Sequence, residues 1–277
     1  MLSLKNLTNR LLVAHYYAKN GLLTIVNDRA MFFTDFVMGT LSPFIVQLIL
    51  WRAIFSEERD SINGFSFNDM IYYYIFALIF SRLNNGYDLI RSLSEKIREG
   101  ELEVYLTKPL NYAMQKLFTF FGESLLYTTP LLFACFFKNF PSTENSFDFF
   151  NLMTSFMMIV FVVVISQLLC FLLSFGLSLL SFWVIEYNIL LSFSILSSAL
   201  LGGVLLPPTF WPDWLVPLMQ FNPYRFTISA PAEFLTTYNE TVFHHFIFGS
   251  LFYITLLLML IYILWNKGLK VYNGAGG

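Results

Sequence analysis

The sequence is poor in charged residues. Only 12% of its 277 residues are Asp, Glu, Lys or Arg, and 57% are hydrophobic, whereas soluble domains carry about 25% charged and about 45–50% apolar residues. Most of the chain therefore cannot fold in water. The net charge of −2 comes without a basic patch, which argues against nucleic acid as a partner.

Residues that build catalytic and metal sites are also scarce. The three histidines form no HExxH motif, no GxSxG elbow occurs, and no glycine is followed by lysine, which excludes a P-loop for ATP. Cys135 and Cys170 both lie in apolar runs, so we interpret them as packing residues rather than as a disulfide or zinc pair. We therefore expect neither catalytic residues nor a metal site in this chain.

Six apolar stretches are each long enough to cross a bilayer, which needs about 20 apolar residues. We predict transmembrane helices over residues 31–51, 70–89, 113–137, 152–175, 188–206 and 246–265. Six spans use about 120 residues, which leaves short loops and no separate domain. The sequence predicts an all-α polytopic membrane protein with one domain over 1–277, namely an N-terminal segment 1–30, a six-span region 31–265 and a tail 266–277.

The N-terminal segment 1–30 has a helical pattern of its own. Apolar residues recur at helical spacing while the polar ones fall elsewhere on the wheel, the apolar set being Leu4, Leu7, Leu11, Ala14 and Ala18. Such a helix can lie in the membrane interface, and an ordinary helix end is the alternative. Because the first ten residues lack the features of a signal peptide, we expect no cleavage.

The distribution of Lys and Arg predicts the topology. With the N-terminus inside, the inner segments hold 12 of the 16 basic residues, and the outer ones hold Arg52, Arg59, Lys138 and Arg225. Cytoplasmic loops carry the excess of basic residues. Both termini are therefore predicted to be cytoplasmic, as is the charged loop 91–109.

The segment between spans five and six is rich in proline and tryptophan. Residues 205–226 contain five prolines and two tryptophans. Proline breaks helices and tryptophan favours the membrane interface. We therefore predict an external re-entrant segment that dips into the outer leaflet and needs protein around its irregular backbone.

Four acidic residues in or near the spans could carry chemistry, because ionisable groups inside a membrane are usually functional. Asp35, Glu186 and Glu233 lie near predicted span ends, where we expect water to reach them. Glu123 lies about ten residues into span three. Two interpretations of Glu123 stay open, namely a place on a substrate or proton path, or polar packing against nearby hydroxyl groups.

The segment 97–110 resembles the first cytoplasmic loop of ABC transporter permeases of the type-2 exporter class. It carries Glu99-Gly100 before a Leu-x-x-x-Leu stretch and a basic residue followed by proline. Three later motifs resemble the same family and occur in the same order. Phe182-Trp183 with Glu186 resembles the signature before span five, and Lys267-Gly268-Leu269-Lys270 with Gly276-Gly277 resembles the closing segment. Between them, the external re-entrant region is resembled by Gly202-Gly203, Pro207, Trp211-Pro212-Asp213-Trp214, Pro223 and Pro231-Ala232. Asn222-Pro223 departs from the Leu-Pro-Phe that relatives often carry.

The resemblance implies a permease without its own ATPase, placed in the cell membrane, most simply a bacterial inner membrane. Two six-span subunits would pair, as a homodimer or a heterodimer. Each would dock a separate ATP-binding subunit, which holds the ATP and Mg²⁺, so this chain itself needs no cofactor. Residues 94–106 would form the coupling helix, and the coupling residues would be Ser94, Glu95, Arg98, Glu99, Gly100, Glu101, Leu102, Lys108 and Pro109.

In this interpretation the aromatic external segment forms a gate made of Pro207, Pro208, Trp211, Pro212, Trp214, Phe221 and Pro223. Apolar surfaces on the spans predict a hydrophobic or amphipathic cargo, moved out of the cytoplasm or inner leaflet. Two alternatives belong to other classes. A secondary transporter needs ionisable groups near the midplane, where Glu123 lies, and an intramembrane lipid-modifying enzyme needs a clustered acid or histidine set.

Overall fold

The computed structural model describes residues 2–55, 61–107, 111–138, 149–184 and 186–272. These residues form twelve α-helices and no strand, with one isolated bridge between Ile62 and Phe65. The helices are α1 (Leu2–Asn27), α2 (Arg29–Phe36), α3 (Ser42–Ile54), α4 (Phe67–Leu83), α5 (Tyr87–Arg98), α6 (Glu103–Leu106), α7 (Tyr112–Lys138), α8 (Phe149–Leu179), α9 (Tyr187–Leu201), α10 (Val216–Phe221), α11 (Ser229–Thr237) and α12 (Glu240–Val271).

Four helical segments of the described chain are long and apolar enough to cross a membrane. They are Arg29–Ile54, which joins α2 to α3, Tyr112–Lys138, Met153–Phe182 and Glu240–Val271. The all-α polytopic architecture is thereby confirmed. The other two predicted spans correspond to α4 with 17 residues and α9 with 15, which reach about 26 and 22 Å at 1.5 Å per residue. The count of six spans stays a prediction.

Helix α4 ends six residues before the predicted end of span two. It stops at Leu83, and the chain bends through Asn84 to Gly86 before α5 begins. The Asn84 side chain donates a hydrogen bond to the Thr227 carbonyl at 2.6 Å instead of facing lipid. The predicted span 70–89 therefore contains the end of one helix and the start of another.

Helix α4 lies at the centre of the molecule. Met70, Tyr73, Phe76, Ala77 and Phe80 are all completely buried, and the helix packs against α3, α7 and α11. Its start is defined by a reciprocal capping box, in which the Ser66 hydroxyl accepts from the Asp69 amide and the Asp69 carboxylate accepts from the Ser66 amide. A helix buried all round is typical of the middle of a bundle.

Helix α1 packs along the first half of α7. Small residues permit this close approach, because a Cβ on Gly21 would clash with the Thr119 carbonyl and one on Gly122 with the Ala18 carbonyl. The Tyr17 hydroxyl also donates to Gln115 Oε1 at 2.9 Å. The opposite face of α1 leaves apolar side chains exposed, including Leu11, Leu12 and Tyr16. Its predicted position in the membrane interface stays a prediction.

Segments predicted to share a side of the membrane meet at the same end of the bundle. At one end the contacts include Ser94–Ser181, Glu95–Tyr187 and Leu102–Tyr272. At the other end they include Asn63–Thr209, Tyr73–Gly203 and Lys138–Leu235. This grouping agrees with the predicted alternation of the spans, and the cytoplasmic location of the first end stays a prediction.

Candidate functional site

The loop between α4 and α7 is built on an amphipathic helix. In α5 the residues Leu89, Ile90, Leu93 and Ile97 are buried against the bundle, and this stripe recurs at the helical period. Arg91 and Arg98 point away from it and are exposed. The helix therefore presents its charged side outward while its apolar side binds the ends of the long helices. We call residues 87–107 the coupling loop.

A glycine turn ends α5. Gly100 has a φ of +75°, the left-handed conformation that glycine adopts without a steric penalty. The Glu101 amide donates to the Lys96 carbonyl at 3.1 Å, which is the long hydrogen bond of a Schellman cap. The predicted coupling helix 94–106 is therefore two helices, α5 and the short α6, joined by this turn.

Polar contacts fix the coupling loop to three of the long helices. The Ser181 hydroxyl, in the 3₁₀ turn after α8, donates to the Ser94 hydroxyl at 2.6 Å. Lys116 of α7 donates to the Ser92 hydroxyl at 2.9 Å. The Leu102 amide donates to the Tyr272 hydroxyl at 3.0 Å, which connects the loop to the end of α12. Ser94 and Leu102 are fully buried.

Glu95 extends these contacts to α9. Its Oε1 accepts from Arg91 Nε at 3.0 Å and from the Tyr187 hydroxyl at 3.1 Å. The hydrogen bond from Arg91 is the main reason that the pKa of Glu95 is lowered, and the bond from Tyr187 acts in the same direction. Arg98 lies over the Tyr187 ring, 5.9 Å from its centroid. The start of α9 is thereby held against α5.

The sequence-predicted coupling residues divide into two groups. Ser94, Glu95 and Leu102 face the bundle, whereas the exposed residues are Arg98, Glu99 and Glu101. Lys108 and Pro109 lie outside the described residues. Val104, which no sequence pattern singled out, is 63% exposed in the same segment as these charges. A single valine in a charged segment gives no periodic signal.

The external segment combines buried prolines with exposed aromatic residues. Pro207 and Pro208 are buried, Trp211 is half-buried, and Pro212 and Trp214 are exposed. The side chains that project farthest are Trp214, exposed by 79%, Phe221 by 62% and Leu218 by 60%. Pro223 is half-buried. The predicted gate residues therefore do not form one surface.

The irregular backbone of the external segment has partners inside the bundle. Gly203 adopts a φ of +82°, and its carbonyl accepts from the Tyr73 hydroxyl at 2.7 Å. The Leu205 carbonyl accepts from Tyr74 at 3.3 Å. Asn222 stands where relatives often carry leucine, and its side-chain Oδ1 accepts a hydrogen bond from the Arg225 amide at 3.0 Å. Leucine could not make this contact. These contacts supply the partners that such backbone requires at membrane depth.

A buried ion pair lies beneath the external segment. Arg225 Nη2 and Glu233 Oε2 are 2.7 Å apart, and both residues are only 7% exposed. The expectation that water reaches Glu233 is therefore wrong, since α11 turns the carboxylate into the protein. The only sequence signal was a base and an acid eight residues apart in one short segment.

The other three acidic residues differ in their surroundings. Asp35 accepts from Arg82 at 2.9 Å and from the Tyr127 hydroxyl at 2.7 Å, beside a π-helical turn over Val37–Leu41. Glu123 is half-buried. Both interpretations of Glu123 therefore stay open. Glu186 is exposed at the start of α9.

A family profile described as "ABC-2 family transporter protein" matches residues 41–276. The chain belongs to the ABC-2 transporter family. It is therefore a multi-pass membrane protein and the permease subunit of an ABC transporter, and the family implies association with an ATP-binding subunit. The match includes the coupling loop and the external segment, whereas α1 and α2 precede it. Comparisons with curated proteins and with solved structures find no match.

Proposed function

We propose that this ABC-2 permease exports its substrate outward, from the cytoplasm or inner leaflet, with energy from ATP hydrolysed on a separate subunit that docks at the coupling loop. The observation that carries this proposal is the two-sided character of that loop. One side presents charges to solvent, and the other contacts the ends of α7, α8, α9 and α12. ATP and Mg²⁺ would be held by the partner, and this chain would contribute no catalytic group.

The outer side of the coupling loop suits a docked protein. Glu99, Glu101 and Val104 are exposed together around the Gly100 turn. Charge complementarity fixes the register of an interface, and like charges brought together there cost several kcal/mol. An exposed valine among acidic residues supplies an apolar contact at the centre of such a site.

The inner side of the loop provides the transmission. Because Ser94 and Leu102 are fully buried and hydrogen-bonded to Ser181 and Tyr272, a displacement of the loop must move the ends of α8 and α12 with it. Tightly packed elements respond to a small displacement by rigid-body motion rather than by continuous deformation. Motion of the partner would thus reach the bilayer through these helices.

At the opposite end, we propose that the external segment gates the exit within a dimer of permease subunits. Trp214, in the turn before α10, and Leu218 and Phe221, three residues apart on α10, all project from the surface of this segment. A second permease subunit, identical or related, would cover this face. The buried Arg225–Glu233 pair holds the base of the segment in position.

A secondary transporter, the alternative considered from the sequence, would use the polar groups within the spans, although the family match places the chain among ABC transporters. Asp35, Arg82 and Tyr127 form a connected network between α2, α4 and α7, and Glu123 lies on the same helix as Tyr127. Ionisable groups at such depth mark ion and substrate pathways. The two candidates differ in their energy source, which an experiment can separate.

The purified chain should hydrolyse no ATP, and co-expression with its ATP-binding subunit should yield a stable complex that transports only when ATP is supplied. Hydrolysis by the isolated chain would refute the assignment of ATP to the partner. Transport by the isolated chain in vesicles, driven by an imposed ion gradient, would favour the secondary transporter.

A further inference from the structure

An apolar cavity of about 240 Å³ lies between α1, α7 and α8. Most of its wall is aliphatic or aromatic and includes Phe121, Leu125, Leu131, Ile159 and Val163. The wall extends over residues 121–132 of α7 and 159–167 of α8, which are about 16 Å and about 12 Å long at 1.5 Å per residue. The cavity is therefore elongated along the axes of two membrane-crossing helices.

The cavity opens toward the bilayer and has room for a chain. Leu125 and Val160 line it and are 49% and 41% exposed on the sides of their helices, so a lipid-soluble molecule can enter between them. A cavity of about 150 Å³ in another protein holds benzene, which has six carbon atoms. In the same proportion, this cavity has room for about ten carbon atoms. Its ligand is thus apolar over most of its length.

One wall residue is polar and has no partner. Gln167 is only 2% exposed, and its carboxamide makes no hydrogen bond to the described residues. Its amide atoms are nevertheless not among the fully enclosed, unpaired polar atoms of that part of the chain. Because Gln167 lines the cavity, the small surface that it retains includes the amide and faces the cavity. Buried polar groups are nearly always hydrogen-bonded, so this amide indicates a ligand with a complementary polar group.

The position and charge of the wall restrict that polar group. Gln167 lies in the middle of the apolar segment Met153–Phe182, and none of the described lining residues is charged. An ionised group at the centre of a bilayer is costly without a partner of opposite charge. The other polar side chain of the wall, Thr128, already donates to the Leu125 carbonyl at 2.6 Å. The carboxamide carries both donors and an acceptor, so a neutral hydroxyl group can satisfy both kinds of atom.

We propose that this cavity binds a neutral amphiphile, namely an apolar chain of about ten carbon atoms that carries one hydroxyl group, with the Gln167 carboxamide as its hydrogen-bonding partner. The chain packs against the apolar side chains of α7 and α8, and the hydroxyl group lies at the Gln167 end, near the centre of the bilayer. The site does not depend on the proposed direction or energy source of transport. A long-chain alcohol such as 1-decanol is the simplest molecule of this class.

Photolabelling tests the site directly. A diazirine analogue of 1-decanol is photolysed with the full chain in lipid nanodiscs, and the labelled residues are identified by mass spectrometry. We expect labelling of Leu131, Ile159 and Val163 that excess 1-decanol abolishes. Decane should require about a five-fold higher mole fraction in the lipid than 1-decanol for half-competition, because it lacks the hydrogen bond, and decyltrimethylammonium should not compete.

Labelling spread evenly over the lipid-facing sides of all the spans, or labelling of the wall that excess 1-decanol leaves unchanged, would overturn the inference. Equal competition by decane would show that the polar group plays no part, and equal competition by decyltrimethylammonium would contradict the preference for a neutral ligand.

The Gln167→Leu variant tests the role of the carboxamide. Labelling of the cavity wall should persist, but 1-decanol and decane should then compete equally, because neither finds a hydrogen-bond partner. Gln47→Leu, which replaces a half-buried glutamine of the segment Arg29–Ile54 outside the cavity wall, should keep the preference for 1-decanol. An unchanged preference in Gln167→Leu would contradict the assigned partner.

A bulky side chain tests the cavity as the location of the site. Val160→Trp would occupy the cavity and should abolish labelling of Leu131 and Val163. Met157→Trp, at an exposed position one turn away that does not line the cavity, should leave their labelling at the native level. Equal labelling of the two variants would show that the chain binds elsewhere. Because the assay contains no ATP-binding subunit and no nucleotide, its outcome is independent of whether the partner docks as proposed.

Discussion

The coupling loop and the external segment, at opposite ends of the bundle, are built in contrasting ways. The coupling loop is a regular amphipathic helix with a glycine cap and exposed charges. The external segment consists of short helices, prolines and aromatic residues, and its polar backbone is satisfied by Tyr73, Tyr74 and Asn84 from within. Water can solvate a charged loop, but a segment at membrane depth must find its partners in protein. The contrast fits the proposed docking surface at one end and the proposed protein-embedded gate at the other.

The largest effect is expected from a substitution that breaks the ion pair beneath the external segment. Glu233→Ala leaves Arg225 buried without its partner, and loss of one member of a buried pair costs about 3–5 kcal/mol. Thermal unfolding in detergent should show a large loss of stability. The double variant Arg225→Leu/Glu233→Leu should recover much of it, because no buried charge remains. Equal stability of Glu233→Ala and the native protein would show that water reaches this site.

A glycine substitution at each end of the bundle separates general backbone strain from an effect on docking. Gly100 and Gly64 both have positive φ, +75° and +81°, and a Cβ on Gly64 meets open space. Gly100→Val and Gly64→Val should each incur about 1–3 kcal/mol of strain. Only Gly100→Val should weaken binding of the ATP-binding subunit, measured by co-purification. Equal binding of the ATP-binding subunit by the two variants would show that the Gly100 turn has no special role in docking.

Tyr272→Phe tests the transmission side of the coupling loop. It removes the acceptor for the Leu102 amide, a hydrogen bond worth about 1 kcal/mol. Hydrogen exchange at the Leu102 amide should accelerate several-fold, and transport per ATP hydrolysed should fall. Tyr262→Phe, on the exposed face of the same helix, is the control. Unchanged exchange in Tyr272→Phe would show that this contact does not hold the loop.

The smallest expected effect is a loss of stability at low pH. Because Arg91 lowers the pKa of Glu95, the pair stabilises the folded loop fully above the ordinary carboxylate range, and this contribution is lost as the pH falls through the lowered pKa. The pair is partly exposed, so the effect should be slight. Stability measured from pH 6 to pH 3 should show a small acid-dependent loss that Glu95→Gln lacks. Identical pH profiles would contradict the assignment.

Local sequence features predicted much of the fold and part of the site. The bounds of helix α7 differ from those of its predicted span by one residue at each end, because an apolar run is visible in the sequence. The end of α4 was missed, since it depends on a bond from Asn84 to Thr227, 143 residues away. The burial of Glu233 likewise depends on how α11 packs, which hydropathy does not show.

The central claim is that the exposed acidic side of the coupling loop docks the ATP-binding subunit. Glu99→Lys/Glu101→Lys reverses two charges there, and Asp213→Lys/Glu240→Lys reverses two exposed charges at the opposite end. With both variants inserted at native levels, the amount of ATP-binding subunit that co-purifies is the direct measurement. The coupling-loop variant should retain less than one tenth of the native amount, and the control should retain all of it. Full retention by Glu99→Lys/Glu101→Lys, with native substrate-stimulated ATP hydrolysis, would contradict the claim.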